Sequence, residues 1–178
     1  MKTLISIYFF LNIIYGAPEL IIGERRIEPG IVFIFEGAVR DHVMPQGFHL
    51  DENQTNVHIE ARVNWDEINT PKGAPSGGFV PYLHITAIVK NQKTGMQTFV
   101  DLVPHINLID NFHYARNISL PGSIYDFYSV TFNVLKPTYI DLAIHRDWES
   151  KFKNKLLEDC IFKYKDVYFA EICKATRN

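Results

Sequence analysis

One seven-residue stretch alternates between apolar and polar side chains: Val57-His58-Ile59-Glu60-Ala61-Arg62-Val63. Successive side chains of a β-strand point to opposite faces of the sheet, so this period of two predicts a strand whose apolar face lies on a core. The opposite face then carries His58, Glu60 and Arg62. The stretch therefore predicts a half-buried strand with an imidazole and a carboxylate side by side on its outer face.

Short runs rich in β-branched and aromatic residues recur along the rest of the chain, separated by turn residues. They predict one or two strands within 28–43, a hairpin formed by 82–89 and 96–103, a strand over 125–134, and a last strand or closing hairpin within 160–173. Turn and loop composition marks 69–78, and Pro104 and Pro137 are expected to end strands. A short helix over 147–158 is an alternative to irregular structure there. The pattern predicts an all-β sandwich.

The bulk composition is that of one ordinary globular domain. The chain has 178 residues, of which 47% are hydrophobic and 21% charged, and its formal net charge is −2. Single domains mostly contain roughly 100–200 residues, so a second domain is not expected. Nucleic-acid binding requires clustered positive charge, and this balance does not supply it.

The first residues have the organisation of a secretory signal peptide. Lys2 supplies the positive start, residues 4–15 form an apolar stretch, and Gly16-Ala17 supply small residues for cleavage. We therefore expect residues 1–17 to be a signal peptide and residues 18–178 to form the mature domain. The protein is then secreted, into the periplasm in a bacterium or outside the cell in a eukaryote.

Export affects the interpretation of the two cysteines and of two asparagines. Cys160 and Cys173 are the only cysteines of the chain, and thiols that reach an oxidising compartment tend to pair, so we expect a disulfide bond. Asn53 and Asn117 each begin an acceptor pattern for N-linked glycosylation, which matters only in a eukaryotic host.

Histidines and one glutamate are the candidate metal ligands. His58 and Glu60, at positions i and i+2 of a strand, can reach one ion, and their ligand types suit iron, copper, zinc or manganese. His105 and His113 bracket a connecting segment after Pro104, where binding residues are commonly found, and His145 lies further on. For each histidine taken alone, an exposed or hydrogen-bonded side chain is the alternative.

A set of motifs in a fixed order resembles the periplasmic high-affinity iron-transport proteins of bacteria, the FetP-like family. The resemblance covers roughly residues 24–165. It rests on Val57-His58-Ile59-Glu60-Ala61, Gly78-Phe79-Val80-Pro81-Tyr82-Leu83, Lys90-Asn91 with Thr94-Gly95, Leu102-Val103-Pro104, His113-Tyr114-Ala115-Arg116-Asn117-Ile118, residues 125–137, His145 and Phe162-Lys163-Tyr164.

The resemblance implies an immunoglobulin-like β-sandwich that forms a homodimer and binds a metal ion for a membrane iron permease, without being an enzyme. The implied ion is copper or iron(II), with manganese or zinc as further candidates. Carried over by position, the implied metal ligands are His58, Glu60, His105, His113 and His145, the last from the same chain or from a dimer mate. His105 stands where the family has a methionine, which puts selectivity for copper in doubt because a thioether favours Cu(I) more than an imidazole does.

Other residues and other functions remain open at this level. His42, His49 and Met44 surround a turn at Pro45 and are interpreted as loop residues, with the mouth of the site as an alternative. His84 is interpreted as a sheet-face residue. Hydrolase and deaminase motifs are missing or incomplete. The remaining alternatives are a metal-free extracellular adhesion or binding module, and a copper or zinc buffer or redox partner. In a carrier, the histidines would release the ion as they protonate near pH 6.

Overall fold

The computed structural model describes residues 18–177, so the predicted signal peptide lies outside the described residues. Within this range the chain forms eight β-strands, two short α-helices and one 3-10 helix. The strands are β1 (Glu19–Ile27), β2 (Ile31–Ala38), β3 (Val57–Trp65), β4 (His84–Asn91), β5 (Gln97–Asn107), β6 (Asn111–Ile118), β7 (Phe127–Leu135) and β8 (Cys160–Tyr168); the helices are the 3-10 helix (Glu52–Gln54), α1 (Arg146–Phe152) and α2 (Ala170–Lys174). None of the helices in this range has the length and apolar character needed to cross a bilayer.

All strand pairs are antiparallel, in the order β1-β2-β3-β6-β5-β4-β7-β8. The strands form the two layers of a sandwich, and the long strand β5 belongs to both layers. Residues 97–102 of β5 pair with β4, whereas residues 103–107 pair with β6. β1 and β8, at the ends of the order, contact each other, so the sandwich is nearly closed. The predicted all-β, immunoglobulin-like sandwich is confirmed.

Aromatic side chains from both layers fill the core. The Phe35 ring of β2 stacks on the Phe132 ring of β7 at 4.1 Å between centroids, and Phe162 of β8 lies 5.3 Å from Phe35. The core side of β3 consists of Val57, Ile59, Ala61 and Val63, all fully buried, as its alternation predicts. The opposite side of β3 is therefore free to carry polar groups, and it positions the site.

Two predictions are wrong: that a strand ends at Pro104, and that His105 and His113 lie on a connecting segment. Pro104 does not end a strand but lies inside β5, where the strand leaves the β4 ladder and joins the β6 ladder. Proline is tolerated at such a transition because regular pairing is interrupted there. His105 and His113 consequently lie on paired strands and not on a loop. In addition, β1 has no clear alternation and was not predicted.

The predicted disulfide bond is also wrong, because Cys160 and Cys173 are free thiols. Cys160 begins β8 and Cys173 lies in α2, beyond the other end of that strand. Eight residue steps of about 3.3 Å separate the ends of β8 by ~26 Å, and a helix as short as α2 cannot return that distance. Disulfide formation needs Cα atoms within about 7 Å.

Candidate metal centre

Three neighbouring strands bring the candidate ligands to one face of the sheet. In the pairing register His58 of β3 lies opposite Asn117 of β6, and His105 of β5 lies opposite His113 of β6. Glu60 follows two residues after His58 and therefore points to the same side. Relative exposure is only 3% for His58, 2% for Glu60 and 1% for His113, so these polar groups are enclosed and not part of a solvated surface.

The candidate ligand atoms lie close to one another. One ring nitrogen each from His58, His105 and His113 lies within 4.8 Å of the other two. Glu60 Oε1 lies 3.7 Å from His58 Nε2 and 4.0 Å from His113 Nε2. Ligands on an ion with bonds of about 2.0–2.2 Å are roughly 3.3–3.6 Å apart in a tetrahedron. The four groups fit such an ion after small side-chain rotations.

Hydrogen bonds determine which nitrogen of each ring is available. His58 Nδ1 is 2.7 Å from Asn117 Oδ1, and His113 Nδ1 is 3.1 Å from the carbonyl oxygen of Asn111. Both partners can only accept, so Nδ1 carries the hydrogen and Nε2 keeps its lone pair. His105 Nε2 is buried and has no hydrogen-bond partner within residues 18–177. An unpaired buried polar atom is costly, and a bound ion would satisfy it.

Burial keeps the three imidazoles neutral and protonates the glutamate. Burial lowers the pKa of His58 to about 4 and that of His105 to about 3, and it lowers the pKa of His113 as well. Burial, with the nearby carboxyls of Asp110 and Glu36, raises the pKa of Glu60 to about 8. Neutral imidazole is the form that binds metal, so the metal-free site needs to lose a proton only from Glu60.

An arginine balances the acidic residues next to the site. The Arg62 guanidinium lies 2.5 Å from Glu36, 3.7 Å from Glu19 and 3.9 Å from Asp110. Burial raises the pKa of Glu36, and the bond from Arg62 partly opposes that effect. The carboxylate of Asp110 therefore faces an arginine.

A cavity of about 510 Å³ leads to the histidines, and the segment that contains Pro45 lines it. His42, Met44 and His49 all lie on this cavity, in agreement with the alternative that placed them at the mouth of the site. The His49 ring lies 5.2 Å from the His105 ring, and Arg116 donates to His49 Nδ1 at 3.2 Å. His49 Nε2 then carries the hydrogen and is not a ligand in this arrangement. The only sequence signal for these residues was their proximity to a turn.

The structure does not bring His145 to the other candidates within one chain. His145 is exposed, directly precedes α1, and lines a different cavity of about 390 Å³ with Trp65 and Trp148. Trp65 ends β3 seven residues after His58, so that cavity lies ~23 Å along the strand from the cluster.

His84, as predicted, is an exposed sheet residue, and its ring lies 3.2 Å from Asp141.

Several solved structures share this fold. A copper-bound variant of P19 from Campylobacter jejuni is 25% identical, with a TM-score of 0.69 over 83% of this chain and 95% of that chain. A copper-bound variant of FetP from uropathogenic Escherichia coli strain F11 is 23% identical, with a TM-score of 0.68 over 85% and 97%. Copper-reconstituted P19 is 24% identical, with a TM-score of 0.71 over 90% and 99%.

Sequence comparison gives one similar protein and one family whose profile matches most of the chain. The chain is 28% identical over 134 residues to the 34 kDa membrane antigen of Treponema pallidum; this match covers 74% of the chain and 64% of the antigen's length. The profile of a family described as Fe2+ transport protein matches residues 16–170. The family and the structural neighbours are transport and metal-binding proteins, in agreement with the prediction that the protein is not an enzyme. The chain therefore belongs to the Fe2+ transport protein family, as the sequence motifs indicated.

Proposed function

We propose that the protein is an exported carrier of a transition-metal ion, copper or iron(II), for high-affinity uptake. His58, His105, His113 and Glu60 bind the ion at the end of the cavity. The carrier holds the ion outside the cytoplasm and delivers it to a membrane permease.

One observation carries the proposal: ring nitrogens of three imidazoles lie within 4.8 Å of one another beside a buried carboxyl. His105 Nε2 is buried without a hydrogen-bond partner among the described residues, which is difficult to explain in a site that binds nothing. A purely structural cluster would be expected to pair such an atom.

The ligand types limit the choice of ion without reducing it to one. Imidazole suits copper, iron(II) and zinc, and the carboxylate extends the range towards manganese. Copper is bound in the P19 and FetP neighbours, and the family description is ferrous-iron transport. These two facts make copper and iron(II) the first ions to test, with zinc and manganese as competitors.

Transport requires that the ion can leave again. The cavity lined by Met44, His49 and Arg177 connects the ligands to the surface, so exchange needs no unfolding of the core. A FetP structure was obtained from protein expressed in the periplasm, which supports the same compartment for this chain in a bacterium.

The proposal includes a second copy of the chain, which contributes His145 to the site. His145 is exposed on one part of the molecule, and the hairpin between β5 and β6 next to the site exposes Ile106, Leu108 and Ile109. In a homodimer that buries this hairpin, His145 of one copy serves the site of the other.

The proposal is tested by native purification after growth in mixed metals, followed by elemental analysis. We expect about one copper or iron ion per wild-type chain, a large loss in His113→Ala, and wild-type content in the control His84→Ala. Equal content in His113→Ala and wild type would overturn the proposal. If the wild type is purified without metal and takes up no added copper or iron(II), the result would favour the metal-free binding module.

A further inference from the structure

Asn117 makes three hydrogen bonds from a buried position beside the site. Its Oδ1 accepts from His58 Nδ1 at 2.7 Å, and its Nδ2 donates to the carbonyl oxygens of Asp41 at 2.8 Å and Leu50 at 2.9 Å. The residue is 3% exposed. The two donor bonds determine the orientation of the amide, so the oxygen must face His58.

The two carbonyls mark the ends of residues 41–50, which we call the covering segment. It lines the cavity over the histidines, and most of its residues are exposed. Besides Asn117, three side chains hold it. Arg116 donates to the Phe48 carbonyl at 3.0 Å and to His49 Nδ1 at 3.2 Å, Thr55 donates to the Leu50 carbonyl at 3.4 Å, and Arg177 lies 2.9 Å from Asp41. A segment with so few buried contacts opens at low free-energy cost.

We infer that Asn117 is a positioning residue that orients His58 for the ion and, through the same amide, holds both ends of the covering segment over the cavity. The inference rests on the proposed function and adds to it a way in which the bound ion is retained. When the covering segment moves away, the amide loses its two acceptors and can rotate, and His58 loses the bond that keeps Nε2 free. Opening of the cavity and weakening of one ligand are thereby coupled.

The same contacts bear on the glycosylation pattern at Asn117. Both amide hydrogens are already donated to backbone carbonyls inside the fold. A glycan on this nitrogen would remove one of these bonds and require the covering segment to leave. We therefore expect Asn117 to be unmodified in the folded protein.

Two substitutions separate the two roles. Asn117→Asp keeps an acceptor for His58 but places a carboxylate against the two carbonyls, so we expect affinity for Cu(II) within about threefold of wild type and release to excess EDTA at least about tenfold faster. Asn117→Ala removes both roles, and we expect affinity to fall by about 10–100-fold, as for other partners of metal-bound histidines. Release is followed by the loss of the Cu(II) absorption band in a stopped-flow instrument.

The control is Asn56→Ala, because the Asn56 side chain accepts hydrogen bonds from Leu120 N at 2.9 Å and from Ser119 Oγ at 3.3 Å, and not from His58 or the covering segment. It should lower stability and leave affinity and release unchanged. Wild-type release and affinity in both Asn117 variants would overturn the inference, whereas a wild type that binds no Cu(II) would overturn the proposed function instead.

Nitrogen NMR of His58 in the metal-free wild type adds a test that needs no variant. A hydrogen on Nδ1 is expected, and one on Nε2 would contradict the inference.

Discussion

Within the site, the pKa of Glu60, and not that of His58 or His105, lies near neutral pH. The sequence-based hypothesis was release as histidines protonate near pH 6. Burial instead lowers the pKa of His58 to about 4 and that of His105 to about 3, whereas the pKa of Glu60 is raised to about 8. Between pH 5 and 8 an incoming ion therefore competes with one proton on Glu60.

The first prediction concerns the pH dependence of binding. Because each ion displaces the Glu60 proton, we expect Cu(II) affinity to fall by up to about tenfold per pH unit as the pH is lowered from 8 to 5. Glu60→Gln should bind more weakly and show a much flatter dependence. Competition titrations across this range measure both. Exposed Glu52 provides the control Glu52→Gln, and an unchanged slope in Glu60→Gln would contradict the prediction.

The same carboxyl affects the stability of the metal-free protein. Its folded-state pKa of about 8 lies above the ordinary value of 4.5, so the fold binds the proton more tightly than the unfolded chain does. The free energy of unfolding then decreases as the pH rises from about 4.5 through 8. Thermal unfolding in the presence of a chelator should show that Glu60→Gln removes most of this decrease.

At the scale of elements, the turn between β5 and β6 holds one proposed ligand, His113, in place. Asn111 has a positive φ of 61°, and its carbonyl accepts from His113 Nδ1. Asn107 supports the turn, since its Oδ1 accepts from the backbone N–H groups of Ile109 and Asp110. The backbone conformation of this turn thus determines the direction of the His113 ring.

A second prediction follows from this turn. Asn111→Val places a β-branched residue in the left-handed region, which costs roughly 1–2 kcal/mol, and it displaces the carbonyl. We expect Cu(II) affinity to fall about tenfold, while Asn111→Gly stays near wild type. Asp166 in β8 also has a positive φ, of 57°, so Asp166→Val is a matched control that should lose stability alone. Equal affinities for the two valine variants would contradict the prediction.

The third prediction concerns the ends of β8. Because this strand separates Cys160 from Cys173, we expect both thiols to be alkylated in denaturant without prior reduction, as read by mass spectrometry. In the native protein Cys160 should react before Cys173, which is buried and whose pKa burial raises to about 11. Alkylation that requires a reductant would show that the two cysteines are paired.

At the scale of the whole molecule, the proposed homodimer gives the fourth prediction. We expect the wild type to sediment as a dimer, and Leu108→Lys combined with Ile109→Lys to produce monomers, because two charges would enter an apolar contact. Ion affinity should fall in the monomer and to the same extent in His145→Ala. Exposed Met96 at the other end of β5 provides the control Met96→Lys. A monomeric wild type, or full affinity in His145→Ala, would contradict the prediction.

Much of the fold followed from local pattern, and less of the site did. The alternation of residues 57–63 predicted β3, its core face and the shared face of His58 and Glu60, all as observed. The prediction for Pro104 was wrong because proline interrupts a regularly paired strand, whereas β5 changes its pairing partner near this residue. The covering segment had no periodicity, so the sequence offered its position at the mouth of the site only as an alternative.

The sequence by itself determined the strand period, the apolar core face and the chemical types available as ligands, because these depend on residues that are near one another in the chain. Only the tertiary structure decided that β6 lies between β3 and β5, which places His105 opposite His113 and beside His58. It also placed His145 elsewhere and kept the cysteines apart. Strand neighbours are set by packing between distant segments, and spacing along the chain does not encode that packing directly.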